Sequence, residues 1–188
     1  KIQVGDMPAQ PQLIASLRDH VEEEFQKGTR PPDPLPVPLP ELSIRQQLWK
    51  QYRDSLTQLC PELPNMSIVV DCMHGCYSDY ACEALEAANF HVHTLRDETK
   101  GNFNSISPDP SQDENLSDLQ SAVMQNKSKL GVGLDGDGDR ARFVDENGHL
   151  VDNGTMLVLF ARYLLETNES VGETTVVYDQ KTRRAVVH

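Results

Sequence analysis

The feature that most constrains this 188-residue chain is the acidic stretch Leu134-Asp135-Gly136-Asp137-Gly138-Asp139-Arg140. It directly follows an apolar run that is typical of a buried strand. Its glycines allow the backbone to turn tightly, so the three carboxylates can face one centre. Clustered carboxylates repel one another unless protons or a cation neutralise them, and oxygen ligands suit Mg²⁺ or Ca²⁺. We therefore predict a cation site formed by Asp135, Asp137 and Asp139.

The spacing of these aspartates also fits the start of an EF-hand calcium loop. Asp135, Asp137 and Asp139 would occupy positions one, three and five, and Glu146 would occupy position twelve. Position six of such a loop should be glycine, but it is Arg140 here. A strand-like run also enters the loop where an EF-hand needs a helix. A calcium-binding module is therefore the second hypothesis.

From Ser67 onward, strand-like and helix-like segments alternate, with strand patterns at 68–70, 91–95, 130–134 and 141–145. Asp71 ends the first strand and is expected to cap the turn that follows it, and Ser111 with Glu114 forms a capping box that predicts a helix start. This alternation predicts an α/β fold, a three-layer α/β/α sandwich with a mostly parallel sheet. Ligands of such sheets gather at the carboxyl ends of strands, where the aspartates are predicted to lie.

The first 64 residues follow a different pattern, which predicts a helical and proline-rich N-terminal segment. Apolar side chains at helical spacing across 10–27 predict an amphipathic helix that Gly28 ends. Residues 31–40 contain six of the twelve prolines, so neither a helix nor a central strand is expected there. We interpret this segment as a stiff spacer. Its use as a docking site for a proline-binding partner is the basis of a third hypothesis, a non-catalytic interaction domain.

Charge and cysteine content narrow the classes of function. The chain has 29 acidic and 17 basic residues and a net charge of −12, which argues against nucleic acid or an anionic membrane as a partner. No run approaches the length of a membrane span, and we expect no signal peptide. The four cysteines, at 60, 72, 76 and 82, lack the C-x-x-C spacing of metal or redox motifs. Free thiols in a reduced, cytoplasmic setting are therefore expected.

The acidic loop and several other segments resemble the α-D-phosphohexomutases, a family of the phosphoglucomutase and phosphomannomutase type. The metal loop of these enzymes reads DGDGDR or close to it, as at 135–140 here. Residues 68–72 resemble the strand that opens the family's second domain, and residues 108–116 resemble its PDP…ENL segment. Residues 176–181 resemble the first strand of its third domain. The resemblance covers roughly residues 66–188.

The resemblance implies a mechanism. Asp135, Asp137 and Asp139 would bind Mg²⁺, and Arg140 would hold phosphate oxygens in the catalytic site. A phosphoserine from an upstream domain would supply the phosphoryl group to a hexose phosphate. The net reaction would be an intramolecular isomerisation between the 1-phosphate and the 6-phosphate of glucose or mannose. Arg142 would share the face of Arg140 on an extended strand, and both a functional and a structural role are open for it.

Other parts of the family pattern do not occur in these 188 residues. The serine motif, close to T-A-S-H-N-P, is not found, and neither are the later sugar-recognition and phosphate-binding loops. We therefore expect a middle piece of a longer enzyme that is inactive by itself. Its expected divisions are the end of an upstream domain with a linker and connecting helix, the second domain, and the start of the third, at 1–64, 65–171 and 172–188. Neither the sugar nor the oligomeric state follows from these residues.

Overall fold

The computed structural model describes residues 2–29, 42–58 and 65–167. The chain divides into two compact units, Lys1–Gln46 and Gln47–His188. The predicted proline-rich spacer at 31–40 and the predicted strand at 176–181 lie outside the described residues. The domain divisions expected from the sequence therefore stay predictions.

The first unit contains a small hairpin and a helix. Strands β1 (Gln3–Val4) and β2 (Met7–Pro8) pair in the antiparallel sense. Helix α1 (Pro11–Gln26) begins with a proline, whose missing N–H is not needed in the first turn, and Gly28 follows its end with a φ of +71°. The predicted amphipathic helix is thus confirmed. Its apolar side chains are exposed in the structure: Leu13, Ile14, Leu17, Val21 and Phe25.

The second unit is built on a four-stranded sheet with the order β4-β3-β5-β6. Strand β3 is parallel to both β4 and β5, whereas β6 is antiparallel to β5. The prediction of a mostly parallel sheet is confirmed, and the one reversed strand follows from the short loop that joins β5 to β6. The strands are β3 (Ser67–Asp71), β4 (His91–Leu95), β5 (Leu130–Leu134) and β6 (Ala141–Asp145).

Helices account for most of the remaining described residues: α2 (Leu42–Gln58), α3 (Ala81–Ala87), α4 (Ser117–Asn126) and α5 (Asn153–Thr167). The capping box predicted at Ser111 and Glu114 is wrong. A 3₁₀ turn occupies Asp113–Leu116, and α4 begins only at Ser117, without a side-chain cap. The backbone N–H of Ser111 instead donates to Asp109, 3.0 Å away. No helix in the described part of the chain is long and apolar enough to cross a membrane.

Two hydrophobic clusters lie on opposite faces of the sheet, because alternate residues of β3 point in opposite directions. Val69 packs with the buried side chains of α4, and Ile68 and Val70 pack on the other face with Ala81 of α3. A Cβ atom on Gly131 would lie 2.6 Å from a methyl carbon of Val123, so α4 approaches β5 closely. The helices therefore cover both faces, and the three-layer α/β/α sandwich is confirmed.

Candidate metal centre

The acidic loop connects β5 to β6 at the carboxyl end of β5. Leu134 and Ala141 are partners in the antiparallel ladder, so the six residues between them form the tip of a hairpin. The backbone N–H of Asp135 donates to the carbonyl of Arg140 at 3.2 Å, and the N–H of Arg140 donates to a carboxylate oxygen of Asp135 at 3.0 Å. These two hydrogen bonds close the loop into a ring.

The structure brings the three predicted ligands together. One carboxylate oxygen from each of Asp135, Asp137 and Asp139 lies within 4.8 Å of the others. Oxygens bound to one Mg²⁺ or Ca²⁺ at about 2.0–2.6 Å are at most about 5 Å apart, so one cation can be bound with small side-chain adjustments. Asp135 is 2% exposed, whereas Asp137 and Asp139 are exposed. The centre is therefore open on one side to further ligands.

Arg140 is bonded to the loop that it ends. Its Nε donates to Asp135 at 2.8 Å, and its Nη1 donates to Asp109 at 3.0 Å. Burial alone would raise the pKa of Asp135, but the hydrogen bonds from Arg140 and one with Asp137 outweigh it and lower that pKa. The pKa of Arg140 is raised, chiefly by Asp135. Asp135 is therefore an ionised carboxylate at neutral pH, while the Arg140 side chain is still 56% exposed. The phosphate-binding role of Arg140 stays a prediction.

Two glycines fix how the turn after β3 packs on the acidic loop. Gly138 has a φ of +72°, which favours glycine, and a Cβ atom there would lie 2.1 Å from the ring of Tyr77. A Cβ atom on Gly75 would lie 2.8 Å from the carbonyl oxygen of Gly136. Next to this contact, the N–H of Cys76 donates to the same carbonyl at 3.0 Å. The turn thus supports the loop that carries the aspartates.

A second segment supports the loop from elsewhere in the chain. The carbonyl of Pro108 accepts a hydrogen bond from the N–H of Gly136 at 3.1 Å, and the next residue, Asp109, pairs with Arg140. The pKa of Asp109 is lowered, first by hydrogen bonds from Ser111 and then by Arg140. The sequence analysis did not identify Asp109 as part of the site. Its membership in the PDP…ENL segment was the available signal.

Asp71 ends β3, close to the turn that supports the acidic loop. Its carboxylate accepts a hydrogen bond from the N–H of Met73 at 3.0 Å, which confirms the predicted cap. The guanidinium of Arg96 also binds Asp71 through two nitrogens and reaches the carbonyl of Asn115 at 3.1 Å. The pKa of Arg96 is raised, chiefly by Asp71. No sequence pattern had indicated this ion pair.

Glu146, the twelfth position of the calcium hypothesis, lies far from the three aspartates. Strand β6 runs away from the loop, and its last residue, Asp145, pairs with Leu130 at the start of β5. Five strand residues separate Glu146 from Arg140, a distance of about 17 Å. The acidic loop is also flanked by strands on both sides. The calcium-binding alternative is therefore not supported.

The family model described as "Phosphoglucomutase/phosphomannomutase, alpha/beta/alpha domain II" matches residues 50–148. This range covers more than half of the chain and includes the acidic loop and all four strands of the main sheet. The chain belongs to the phosphoglucomutase/phosphomannomutase family. The family resemblance seen at 68–72, 108–116 and 135–140 is thereby confirmed.

Individual relatives of the phosphoglucomutase/phosphomannomutase family agree with this assignment. A phosphomannomutase/phosphoglucomutase of Pseudomonas aeruginosa is 33% identical over 147 residues, which are 78% of this chain and 30% of the relative. A phosphoglucosamine mutase of Frankia alni is 34% identical over 165 residues, 86% of this chain and 36% of the relative. A solved structure of a phosphoglucomutase/phosphomannomutase family protein from Burkholderia thailandensis is similar with a TM-score of 0.61 and 28% identity, over 63% of this chain and 26% of that one. The chain thus spans about a third of the length of the curated relatives it matches.

Proposed function

We propose that this chain provides the metal-binding domain of an enzyme that isomerises a hexose phosphate by intramolecular phosphoryl transfer. The observation that carries the proposal is the convergence of three carboxylate oxygens within 4.8 Å on the acidic loop. The names of the relatives support a sugar-phosphate mutase, and they include both mannose or glucose and glucosamine as sugars. Interconversion of glucose or mannose 1-phosphate and 6-phosphate is the reaction that we propose for the full-length protein.

The donor set of the acidic loop fits Mg²⁺. Carboxylate oxygens are the ligands that this hard cation prefers, and Asp135, Asp137 and Asp139 would hold it. When bound, the cation would offset negative charge on the phosphoryl group during transfer. The hydrogen bonds from Arg140 keep Asp135 ionised and correctly oriented before any ligand arrives. The exposed part of the Arg140 guanidinium is suited to phosphate oxygens by its planar shape and fixed charge.

The geometry of the loop also supports a phosphoserine donor from outside these 188 residues. Three carboxylates leave several positions of an octahedral Mg²⁺ site for water and for phosphoryl oxygens. Asp137 and Asp139 are exposed, so the open side of the centre is accessible to such a group. We therefore expect the 188 residues alone to be inactive as a mutase.

The setting and partners of the protein are part of the same proposal. Cys72, Cys76 and Cys82 are free thiols in the described part of the chain, which supports a reducing, cytoplasmic setting. The net charge of −12 supports a small-molecule partner, a hexose phosphate, rather than nucleic acid or an anionic membrane surface. The interaction-domain hypothesis depends on the proline-rich spacer, which lies outside the described residues.

The proposal is tested with the full-length enzyme and with Asp137→Asn in it. We expect the variant to lower kcat for glucose 1-phosphate or mannose 1-phosphate by about 100-fold or more, because metal ions supply several kcal/mol of transition-state stabilisation. Asp19→Asn removes the same charge from the exposed surface of α1 and should leave kcat unchanged. Calorimetric titration of the 188-residue chain with Mg²⁺, with and without a phosphoserine peptide, measures the metal site directly. Full turnover by Asp137→Asn would refute the proposal.

A further inference from the structure

A cavity of about 210 Å³ opens beside the acidic loop, where β6 and α5 begin. This volume far exceeds the roughly 15 Å³ that a single water molecule requires. Two of the lining residues are arginines and none is acidic: Pro110, Ser111, Arg140, Ala141, Arg142 and Asn153. The cavity is thus a positively charged recess in a protein that is strongly acidic overall.

Arg142 lies in this cavity with an unsatisfied donor. Its side chain is only 16% exposed, and its buried Nε has no hydrogen-bond partner within the described ranges. Its one ion pair is a long contact of 3.4 Å between Nη2 and the carboxylate of Asp113, whose side chain is 67% exposed. A buried charged donor without a partner is costly to a fold. A group that accepts from this nitrogen would remove that cost.

We infer that this cavity binds a tetrahedral oxyanion, the phosphate group of a small molecule, with Arg142 as its main ligand. The planar guanidinium can donate in parallel from Nε and one Nη to two phosphate oxygens. Ser111 and Asn153 add a hydroxyl and an amide as neutral donors in the same lining. The Nε and Nη1 of Arg140 are bonded to Asp135 and Asp109, so Arg140 contributes mainly its charge. The inference concerns a site separate from the cation centre and does not depend on the proposed mutase activity.

The test is a titration of the ¹⁵N-labelled 188-residue chain with inorganic phosphate in metal-free buffer, followed by NMR. We expect the largest amide shifts at Ser111, Arg142 and Asn153. Arg142→Gln should weaken phosphate binding by about tenfold or more, because hydrogen bonds to charged groups contribute about 1.5–3 kcal/mol. Arg162→Gln removes the same charge from the exposed face of α5 and should change the affinity less than about twofold.

Two further variants keep the inference testable if Arg142→Gln folds poorly. Ser111→Ala should weaken binding by about threefold through loss of one neutral hydrogen bond, and Asp113→Asn should strengthen it by removing a competing carboxylate. Glucose 1-phosphate in place of phosphate separates the sources: tighter binding at the same residues indicates a sugar phosphate, and equal binding indicates the phosphate group alone. No response at about 10 mM phosphate, or an equal loss in Arg142→Gln and Arg162→Gln, would overturn the inference.

Discussion

The guanidinium of Arg96 closes over the carboxylate of Asp71, and this buried ion pair joins the carboxyl ends of β3 and β4. The two strands are in parallel register, with Asp71 opposite Leu95, so Arg96 follows directly on the neighbouring strand. The carbonyl of Arg96 also accepts a hydrogen bond from the N–H of His74 at 2.9 Å. The pair therefore anchors the turn that packs against the acidic loop.

Removing the cation of this pair should be severely destabilising. Asp71 is fully buried and the Arg96 side chain is 13% exposed, so Arg96→Met leaves an uncompensated buried carboxylate. We expect a loss of about 3 kcal/mol in the free energy of unfolding, measured in urea. Arg162→Met breaks only an exposed pair and should cost less than about 1 kcal/mol. Equal losses in the two variants would show that the Asp71 pair is not structurally important.

Gly138→Ala should damage the cation site more than the fold. The residue has a positive φ and lies against the ring of Tyr77, so a methyl group would strain the backbone by about 1–3 kcal/mol and displace the loop. We expect weaker Mg²⁺ binding by calorimetry together with a lower unfolding temperature. Gly101→Ala is the matched control, because nothing lies within 4 Å of its Cβ position and its φ is ordinary. Unchanged Mg²⁺ binding in Gly138→Ala would contradict the described loop geometry.

Glu146→Gln should leave cation affinity unchanged. The residue follows β6 at the end remote from the acidic loop, and it lies about 17 Å from Arg140. Titrations with Mg²⁺ and Ca²⁺ should give the same dissociation constants for the variant and for the wild type, within about twofold. Asp137→Asn, run beside it, should weaken both ions. A large loss of Ca²⁺ affinity in Glu146→Gln would restore the calcium hypothesis.

Asp145→Asn should reveal a stability contribution that acid removes. The carboxylate accepts hydrogen bonds from the N–H groups of His149 and Asn147, at 2.8 Å and 2.9 Å, and these lower its pKa below the usual 3.8. A group with a lowered pKa stabilises the fold above its unfolded-state value and loses that effect as pH falls through the folded value. Urea unfolding should therefore show a constant gap between wild type and variant from about pH 7 to pH 5, which closes below about pH 3.8. A gap that widens with acid would contradict the assignment.

Thiol chemistry should distinguish Cys76 from Cys72. Burial, with Asp71 nearby, raises the pKa of Cys72 to about 12, so its reactive thiolate is only about one part in ten thousand at pH 8. Cys76 is exposed. Alkylation of the native chain, followed by mass spectrometry, should modify Cys76 first and leave Cys72 unmodified until urea is added. Early modification of Cys72 would indicate that the turn after β3 opens readily.

The sequence was most informative where local pattern and chemistry coincide. The apolar run before the acidic loop predicted β5, and the spacing of Asp135, Asp137 and Asp139 predicted that their oxygens meet, as they do. Strand and helix periodicity predicted the layers of the sandwich. All of these features depend on residues that are close in the sequence.

Contacts between distant residues could not be predicted in this way. Arg96 meets Asp71 across 25 residues, and Asp109 meets Arg140 across 31, and both pairs depend on which strands become neighbours. The start of α4 was misplaced for a related reason. Asp109 captures the N–H of Ser111, so the predicted cap lies in a turn and the helix begins later.

The hairpin that carries the acidic loop has a consequence for the order of folding. Its ladder joins Leu130 to Asp145, at most 15 residues apart, whereas β3 meets β5 through Ile68 and Leu130, 62 residues apart. Short chain separations close quickly, and long ones lose more chain entropy before any contact forms. We expect the cation-binding ring to form before the parallel sheet is complete. A divalent ion would then bias an early intermediate and accelerate refolding, as well as stabilising the native state.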